Sequence, residues 1–576
     1  MSLTARIVVY PLPAAKPPMS GLPGPGFLDL LAALAAEPGE LAALHAAQIG
    51  AGPCPTGNSW AGRGQTAESG KSVLAYRPVL TLEITAETNA QGQEVAVPRW
   101  ISHQDLRLND LQTPPAGTDP VHAWQQMLDE IILLEGQSGP ATDLSRPPGA
   151  GPIAPGLPLV GWLGGISYDI GRWIERISTP GRSSNPIKRG WPLLRWTLFD
   201  GYFVLDHATG LWTLATFEWS TLREEMADQR LDQLESFLGM VEPSDPPHPP
   251  TASSTKLAGM TPAGHQEGKP VRQSPQEAGD SPALGYCRQV QQVQEYIGAG
   301  DIYQANLAHC WPRPVNERPE TIYRRLCERS PAPYGAYFRF ADKAVLCASP
   351  ELFLERYSGS NRAGGRLSPS NGGSGGTGRY ARTCPIKGTR PRAPDDPQRD
   401  EALRQELLAS PKDQAELAMI VDLLRNDLGR VCQYGSVQVT QPRALEEHPT
   451  VWHTVATIEG MLTPVAGWEA IVRAMCPGGS ITGAPKIRAM QIIEELEGQR
   501  RDWYCGNLGW IGPREAGVLN IAIRTILLEG LDDPTMATAQ VWAGSGIVAD
   551  SEPQAEYEET LAKARAMLEA LKNAEC

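Results

Sequence analysis

The chain has 576 residues, enough for a large core and for two domains or one very large one. With 41% hydrophobic and 20% charged residues it reads as globular, and a net charge of -14 argues against a nucleic-acid binder. No apolar run approaches the ~18 residues a membrane span needs, and no signal-peptide core opens the chain. The ten cysteines are scattered with no C-x-x-C pair, the usage of a reduced compartment with structural thiols, so a cytoplasmic protein is expected.

In chain order, strand-like runs come first: "ARIVVYPL", "VLAYRPVLTLEI", "PLVGWLGGISYDI" and "LLRWTLFDGYFVLDH". Among them "PVHAWQQMLDEIILLEG" reads as the clearest helix. Residues 242–283, rich in Pro, Ser and charge, read as a linker or insertion that divides a mostly β region (1–241) from a second region (284–576). The second region opens with the helix "LGYCRQVQQVQEYIGAG" and the strand "IYQANLAHCW". The Gly/Ser-rich stretch 358–379 reads as the overgrown tip of a hairpin. Strands and helices come in blocks rather than as βαβ units, which predicts an α+β fold with antiparallel sheets.

Several groupings have chemical potential. In "SPKDQAELAMIVDLLRNDLG", Leu417, Ile420, Val421 and Leu424 recur at helical spacing, with Asp413 and Glu416 sharing a face of the opening turns. In "DSEPQAEYEETLAKARAMLEAL", Ser551 and Gln554 suggest a capping box, and Tyr557, Leu561, Ala564, Leu568 and Leu571 suggest the buried stripe. Glu556 and Glu559 are again three apart. Two such pairs suit one hard cation such as Mg²⁺, although helix N-termini also favour acids through the macrodipole.

"CPGGSITGAPKIRAMQIIEELEG" leads a Gly-rich entry into a helix faced by Ile487, Met490, Ile493 and Leu496 and closed by Gly498. Such a loop offers backbone N–H groups to an anion, a carboxylate rather than a nucleotide because the P-loop spacing is absent; a tight structural turn is the alternative. Gly544 and Gly546 in "VWAGSGIVADSEP" permit close approach to the backbone. His453 stands alone in "HPTVWHTVATIEG", and a lone histidine is more often structural. Arg524 lies in the apolar "LNIAIRTILLE", where burial demands an anionic partner. Finally "TCPIKGTRPR" sets Lys387 before a Gly-Thr turn, which taken alone reads as a basic surface turn.

Together these segments resemble the chorismate-utilising enzymes. They run in family order: "GDIYQANL" (300–307), "SPELF" (349–353), "PIKGT" (385–389), "AELAMIVDLLRNDLG" (415–429), His453, "GGSITGAPKIRAM" (478–490), "AIRT" (522–525) and "GSGIVADSEPQAEYEET" (544–560). The likeness covers residues 284–571, with a weaker echo in "GWLGGISYDIGRWIE" (161–175). It implies large antiparallel sheets in a sandwich flanked by helices. The lysine of "PIKGT" resembles the branch that forms 4-amino-4-deoxychorismate on the way to p-aminobenzoate and folate, where anthranilate synthases carry alanine. Gln304 stands where the water-using relatives place a lysine, and so points to the ammonia-using branch.

The resemblance implies roles. Lys387 would add to the ring as the hydroxyl leaves, which requires an uncharged amine; burial or a neighbouring cation such as Arg390 would favour that form. Glu351 would protonate the leaving hydroxyl and so needs a pKa raised by burial. Mg²⁺ on Glu416 and Glu559, with Glu556 and Asp413 outside them, would bind the ring carboxylate. Arg524, Tyr504, Lys563 and the backbone around Ser480, Thr482, Gly483, Gly544 and Gly546 would hold the substrate's carboxylates. His453 would orient groups near the departing hydroxyl, and Thr389 and Gln304 would line the same pocket.

Cys384 departs from the family pattern, which often has Arg there, and no "LLES"-type segment appears near residues 50–60, so tryptophan feedback is not expected. No Gly-x-Cys-x-Gly glutaminase turn is present, so a separate glutamine amidotransferase subunit is expected to supply ammonia. Anthranilate formation is the nearest alternative reading, and a non-catalytic binding subunit a remote one.

Overall fold

The longest strand, Lys71–Thr88, buries Val73, Ala75, Leu80, Leu82 and Ile84 and organises the architecture. In the computed structural model the described residues are 3–11, 31, 35, 40–45, 71–89, 93–103, 111–134, 161–177, 190–206, 211–219, 282–361, 367–369, 377–448, 450–512, 516–533 and 537–572. Lys71–Thr88 pairs antiparallel with Leu41–His45 and Glu94–Ser102, and with Leu194–Asp206.

Two arms diverge from it. One runs from Leu41–His45 through Tyr334–Phe340, Lys343–Ser349, Thr525–Glu529 and Thr538–Ile547 to Gln304–Pro314 and the short Gly483–Ala484. The other runs from Leu194–Asp206 through Trp162–Ile166, Asn507–Ile511, Gly517–Asn520, Leu352–Asn361 and Thr377–Cys384 to Val451–Met461. The last strand also pairs with Ile386–Pro391 and Gln438–Glu447. Every pairing in both arms is antiparallel, as the block arrangement of strands and helices predicts. Strands of the 1–241 region thus hydrogen-bond directly to strands of the 284–576 region.

Buried indoles fill the space near this junction: Trp124 stacks on Trp196 with centroids 5.9 Å apart, and Trp162 and Trp503 are also fully buried. Helices Pro282–Gly298, Lys486–Glu497 and Pro553–Ala570 pack beside the arm that ends at Gln304–Pro314. Helices Pro397–Ala409 and Pro411–Gly429 cover Ile386–Pro391 and Val451–Met461. No helix among the described residues is long and apolar enough to cross a membrane, and the eight described cysteines are free.

Local chemistry explains where the sequence reading holds and where it slips. The Pro411–Gly429 helix starts at Ser410, whose hydroxyl accepts from Asp413 N at 3.2 Å, and it buries Leu417, Ile420, Leu424 and Leu428. The helix expected over "PVHAWQQMLDEIILLEG" stops at Asp129. Ile131–Leu134 is instead a strand parallel to Leu3–Arg6, because the Ile-Ile-Leu-Leu run favours the extended form once a sheet edge is offered. In the last helix the cap is Glu552, not Ser551, and the buried stripe is Glu556, Thr560, Ala564, Met567 and Ala570. Leu561 is exposed, and so is Ile487 in the Lys486–Glu497 helix, where Met490 and Ile493 are buried as expected and Ala489 and Ile492 join them. The strand Leu352–Asn361 pairs with Leu367–Pro369 and Thr377–Cys384, so the described ends of the 358–379 stretch extend a hairpin. The 242–283 segment lies outside the described residues except for Pro282 and Ala283, which open a helix.

Candidate active site

The site forms where Ile386–Pro391 lies against the helices Pro397–Ala409 and Pro411–Gly429. Ile386 pairs with Val455 and Thr389 with His453, with a register shift between them that leaves Lys387 and Gly388 in an irregular step. Such a bulge re-aims a side chain. Gly388 has φ +83°, and a Cβ there would lie 3.0 Å from Asp413 Cβ and 2.8 Å from Leu407, so glycine lets the strand lie against the helices. Lys387 Nζ stands 3.8 Å from Glu416 Oε2, and the Thr454 hydroxyl donates to the Lys387 carbonyl.

Glu351 lies at the turn between Lys343–Ser349 and Leu352–Asn361, almost fully buried. Burial pushes its carboxyl up to about 7, while a hydrogen bond from Ser480, the Lys387 charge and the Ile386 backbone N–H pull the other way. Ser480 Oγ donates to Glu351 Oε1 at 2.8 Å from the 3₁₀ turn Gly479–Ile481. An acid with such a pKa is poised to give up a proton near neutrality.

Gly546 sits on Thr538–Ile547, where it pairs with Asn306 of the Gln304 strand. A Cβ there would lie 2.4 Å from Gln304 Nε2 and 3.3 Å from Lys387 Nζ, so the glycine clears room for these two head groups. Gln304 is buried, and its Oε1 has no hydrogen-bond partner among the described residues. His453 is buried with Nδ1 2.8 Å from Thr389 Oγ1, and its Nε2 has no partner among the described residues. Burial holds the imidazole neutral, well below its ordinary range, with the charges of His448 and Arg524 adding to that effect.

Arg524 is not inside a strand: it precedes Thr525–Glu529 at φ +52°, half-buried, with Ser330 Oγ 3.4 Å from its Nη1. Among the described residues it has no carboxylate partner, and burial lowers its proton affinity. Tyr504 is buried and stacked on Trp542 at 5.5 Å. Thr482 Oγ1 donates to Gly478 O at 2.9 Å. The close approaches permitted by Gly483 and Gly544 are to this chain's own backbone, at Gln304 O and Leu307 O.

The acidic positions divide. Glu556 accepts from Ser545 Oγ at 2.5 Å and Ser551 Oγ at 2.6 Å. Glu559 pairs with Lys563 at 2.6 Å, and Lys563 also donates to Gly544 O at 3.0 Å. Asp413 accepts from Arg390, whose guanidinium also grips Glu406. The charge of Arg390, expected to act on Lys387, is therefore balanced by two carboxylates. Burial raises Glu416, partly offset by Lys387 and Lys412. At Glu559 burial also acts upward, but Lys563, Lys387 and Lys412 together take the carboxyl below its ordinary value. Among the described residues no three His, Cys, Asp or Glu side chains are grouped to hold a metal ion; lysine ammonium groups face the glutamates instead.

Sequence reasoning missed two features. One is Lys412, 3.8 Å from Glu556 Oε1 and 4.0 Å from Glu416 Oε1; its i,i+4 spacing to Glu416 was the available signal. The other is Arg501, fully buried, which grips Glu497 and donates to Ile481 O at 2.9 Å and Asn306 O at 2.6 Å. Glu497 in turn accepts from Ala308 N at 2.8 Å, so this pair ties the Gln304 strand to the Ser480 turn. Glu497 and Arg501 are also four apart, across Gly498.

Comparisons with known proteins give the family. Residues 135–569 match the family model described as chorismate binding enzyme. The chain is 36% identical over 422 residues to aminodeoxychorismate synthase component 1 of Bacillus subtilis, covering 72% of this chain and 77% of that one. It is 34% identical over 484 residues to anthranilate synthase component 1 of Synechocystis, covering 79% and 87%. Its structure resembles anthranilate synthase component I of Streptococcus pneumoniae with a TM-score of 0.59 at 25% identity, over 86% of this chain and 92% of that one. The chain belongs to the chorismate-binding enzyme family.

Proposed function

We propose that this enzyme aminates chorismate with ammonia to 4-amino-4-deoxychorismate, the precursor of p-aminobenzoate and folate, through a covalent adduct on Lys387. The observation that carries the reading is a lysine amine whose charge acts on a buried carboxyl with a pKa raised to about 7, beside a glycine that leaves room for the lysine and Gln304. The names of relatives support it: aminodeoxychorismate synthases component 1 are 33% to 40% identical over the matched segments.

The Lys387 ammonium first gives a proton to solvent, and the free amine attacks the ring; a double bond shifts, and the hydroxyl leaves as water with a proton from Glu351. Ammonia then attacks, the double bonds return, and the lysine amine departs with its bonding pair. The Glu351 carboxylate takes back the proton that ammonia sheds, which restores both groups. Gln304 Oε1, buried and without a partner among the described residues, is placed to accept a hydrogen bond from the incoming N–H. His453, neutral, offers Nε2 near the same ring, and Arg524 offers the substrate a cation that no carboxylate binds among the described residues.

Glu416, Glu559 and Glu556 offer only oxygen donors, and although lysine ammonium groups face them and the three are not grouped as a ready metal set among the described residues, Mg²⁺ bound there would neutralise the ring carboxylate. Asp413 is left out of that set because Arg390 holds it. Ammonia would come from a separate glutamine amidotransferase subunit, consistent with the component 1 naming of relatives.

Anthranilate formation is the second reading, favoured by relatives of that name at 34% identity. Product identification separates the two. The purified chain with chorismate, Mg²⁺ and ammonium should release a non-aromatic amine that keeps the pyruvyl ether; release of fluorescent anthranilate with pyruvate would overturn the proposal.

A further inference from the structure

Three lysines face three glutamates at this site, and they are not held alike. Lys387 is partly buried on its strand, and Lys563 has the Gly544 carbonyl as a second partner besides Glu559. Lys412 is 57% exposed and has no hydrogen bond among the described residues, only ion-pair contacts at 3.8 Å to Glu556 and 4.0 Å to Glu416. It is the second residue of the Pro411–Gly429 helix, and its flexible stem reaches across to a glutamate of the Pro553–Ala570 helix.

We infer that Lys412 is a tethered counter-ion which bridges Glu416 and Glu556 in the metal-free enzyme and which a divalent cation must displace to bind. This rests on the reading of these glutamates as the Mg²⁺ site. The charges give the reason. Three carboxylates facing three ammonium groups are already balanced, so adding two positive charges is opposed unless an ammonium leaves. Lys412 can leave most cheaply, because its amine is already largely in water and its contacts are longer than hydrogen bonds. Lys412 therefore lowers metal affinity, while Ser545 and Ser551 keep Glu556 in place whether or not the lysine is there.

The test is Mn²⁺ binding to the full chain, read by the loss of the free-ion EPR signal, for wild type, Lys412→Gln, Lys412→Arg and Glu416→Gln. Competition predicts that Lys412→Gln binds Mn²⁺ about tenfold more tightly, an advantage that shrinks with added salt, while Lys412→Arg stays near wild type. Equal or weaker binding by Lys412→Gln, with binding still lowered in Glu416→Gln, overturns the counter-ion role and leaves the metal site standing. Binding that Glu416→Gln leaves unchanged, or no binding by any variant, removes the metal reading and the inference with it.

Discussion

The hydroxyl of Ser480 donates to the Glu351 carboxyl at 2.8 Å, and this bond joins the Gly-rich turn to the proposed proton donor. It favours the charged form, against burial, which raises the group to about 7. A proton donor at that value is active only while protonated, so kcat should fall as pH rises through about 7. Ser480→Ala removes an interaction that holds the pKa down, so the falling limb should move to higher pH. A limb that stays in place would disconnect Glu351 from the rate.

Glu351→Gln should lower kcat by about 10²–10⁴-fold. It should also change stability with a definite sign. A carboxyl raised in the folded state contributes stability that is present below the unfolded value and is lost as pH rises through about 7. The variant, which cannot ionise, should therefore gain on the wild type as pH rises from about 4.5 to above 7, by up to about 3 kcal/mol. Thermal melts of both proteins across that window measure the divergence, and parallel curves would exclude it.

His453 gives the opposite sign. Burial holds its folded pKa well below the ordinary value, so its contribution is present above about 6.5 and is lost as pH falls below it. His453→Gln should soften the loss of stability between about pH 6.5 and 5. The imidazole NMR signals of the wild type should show no titration of this ring near 6.5.

Gly546→Ala places a methyl carbon 2.4 Å from Gln304 Nε2, so Gln304 or the strand must shift. The expected cost is about 1–3 kcal/mol in stability, with activity lost beyond that cost. Ammonium-dependent kinetics beside urea unfolding would show both, and wild-type activity would mean that this spacing is not used.

Much of this site was legible because its parts are local. The Pro411–Gly429 helix declares its stripe and its acids within 19 residues, and the burial that Glu351 needs follows from its place beside apolar strands. The misread helix shows what sequence hides. Glu556 and Thr560 lie on its buried face because Ser545 and His309 reach them from neighbouring strands, with Ser551 adding a local bond to Glu556, and Leu561 is left outside. The bridge from Lys412 to Glu556 spans two helices far apart in sequence and leaves no local trace. Nor could spacing reveal that Arg390 is taken up by Glu406 and Asp413.

The central claim is the bond between Lys387 and the substrate. Incubating the enzyme with chorismate and Mg²⁺ but no ammonia, quenching in acid and mapping peptides by mass tests it directly. The account predicts a gain equal to chorismate less one water on the peptide carrying Lys387, discharged by ammonium and absent in Lys387→Ala. No gain on that peptide, with the amine still formed at the wild-type rate by Lys387→Ala, would contradict it.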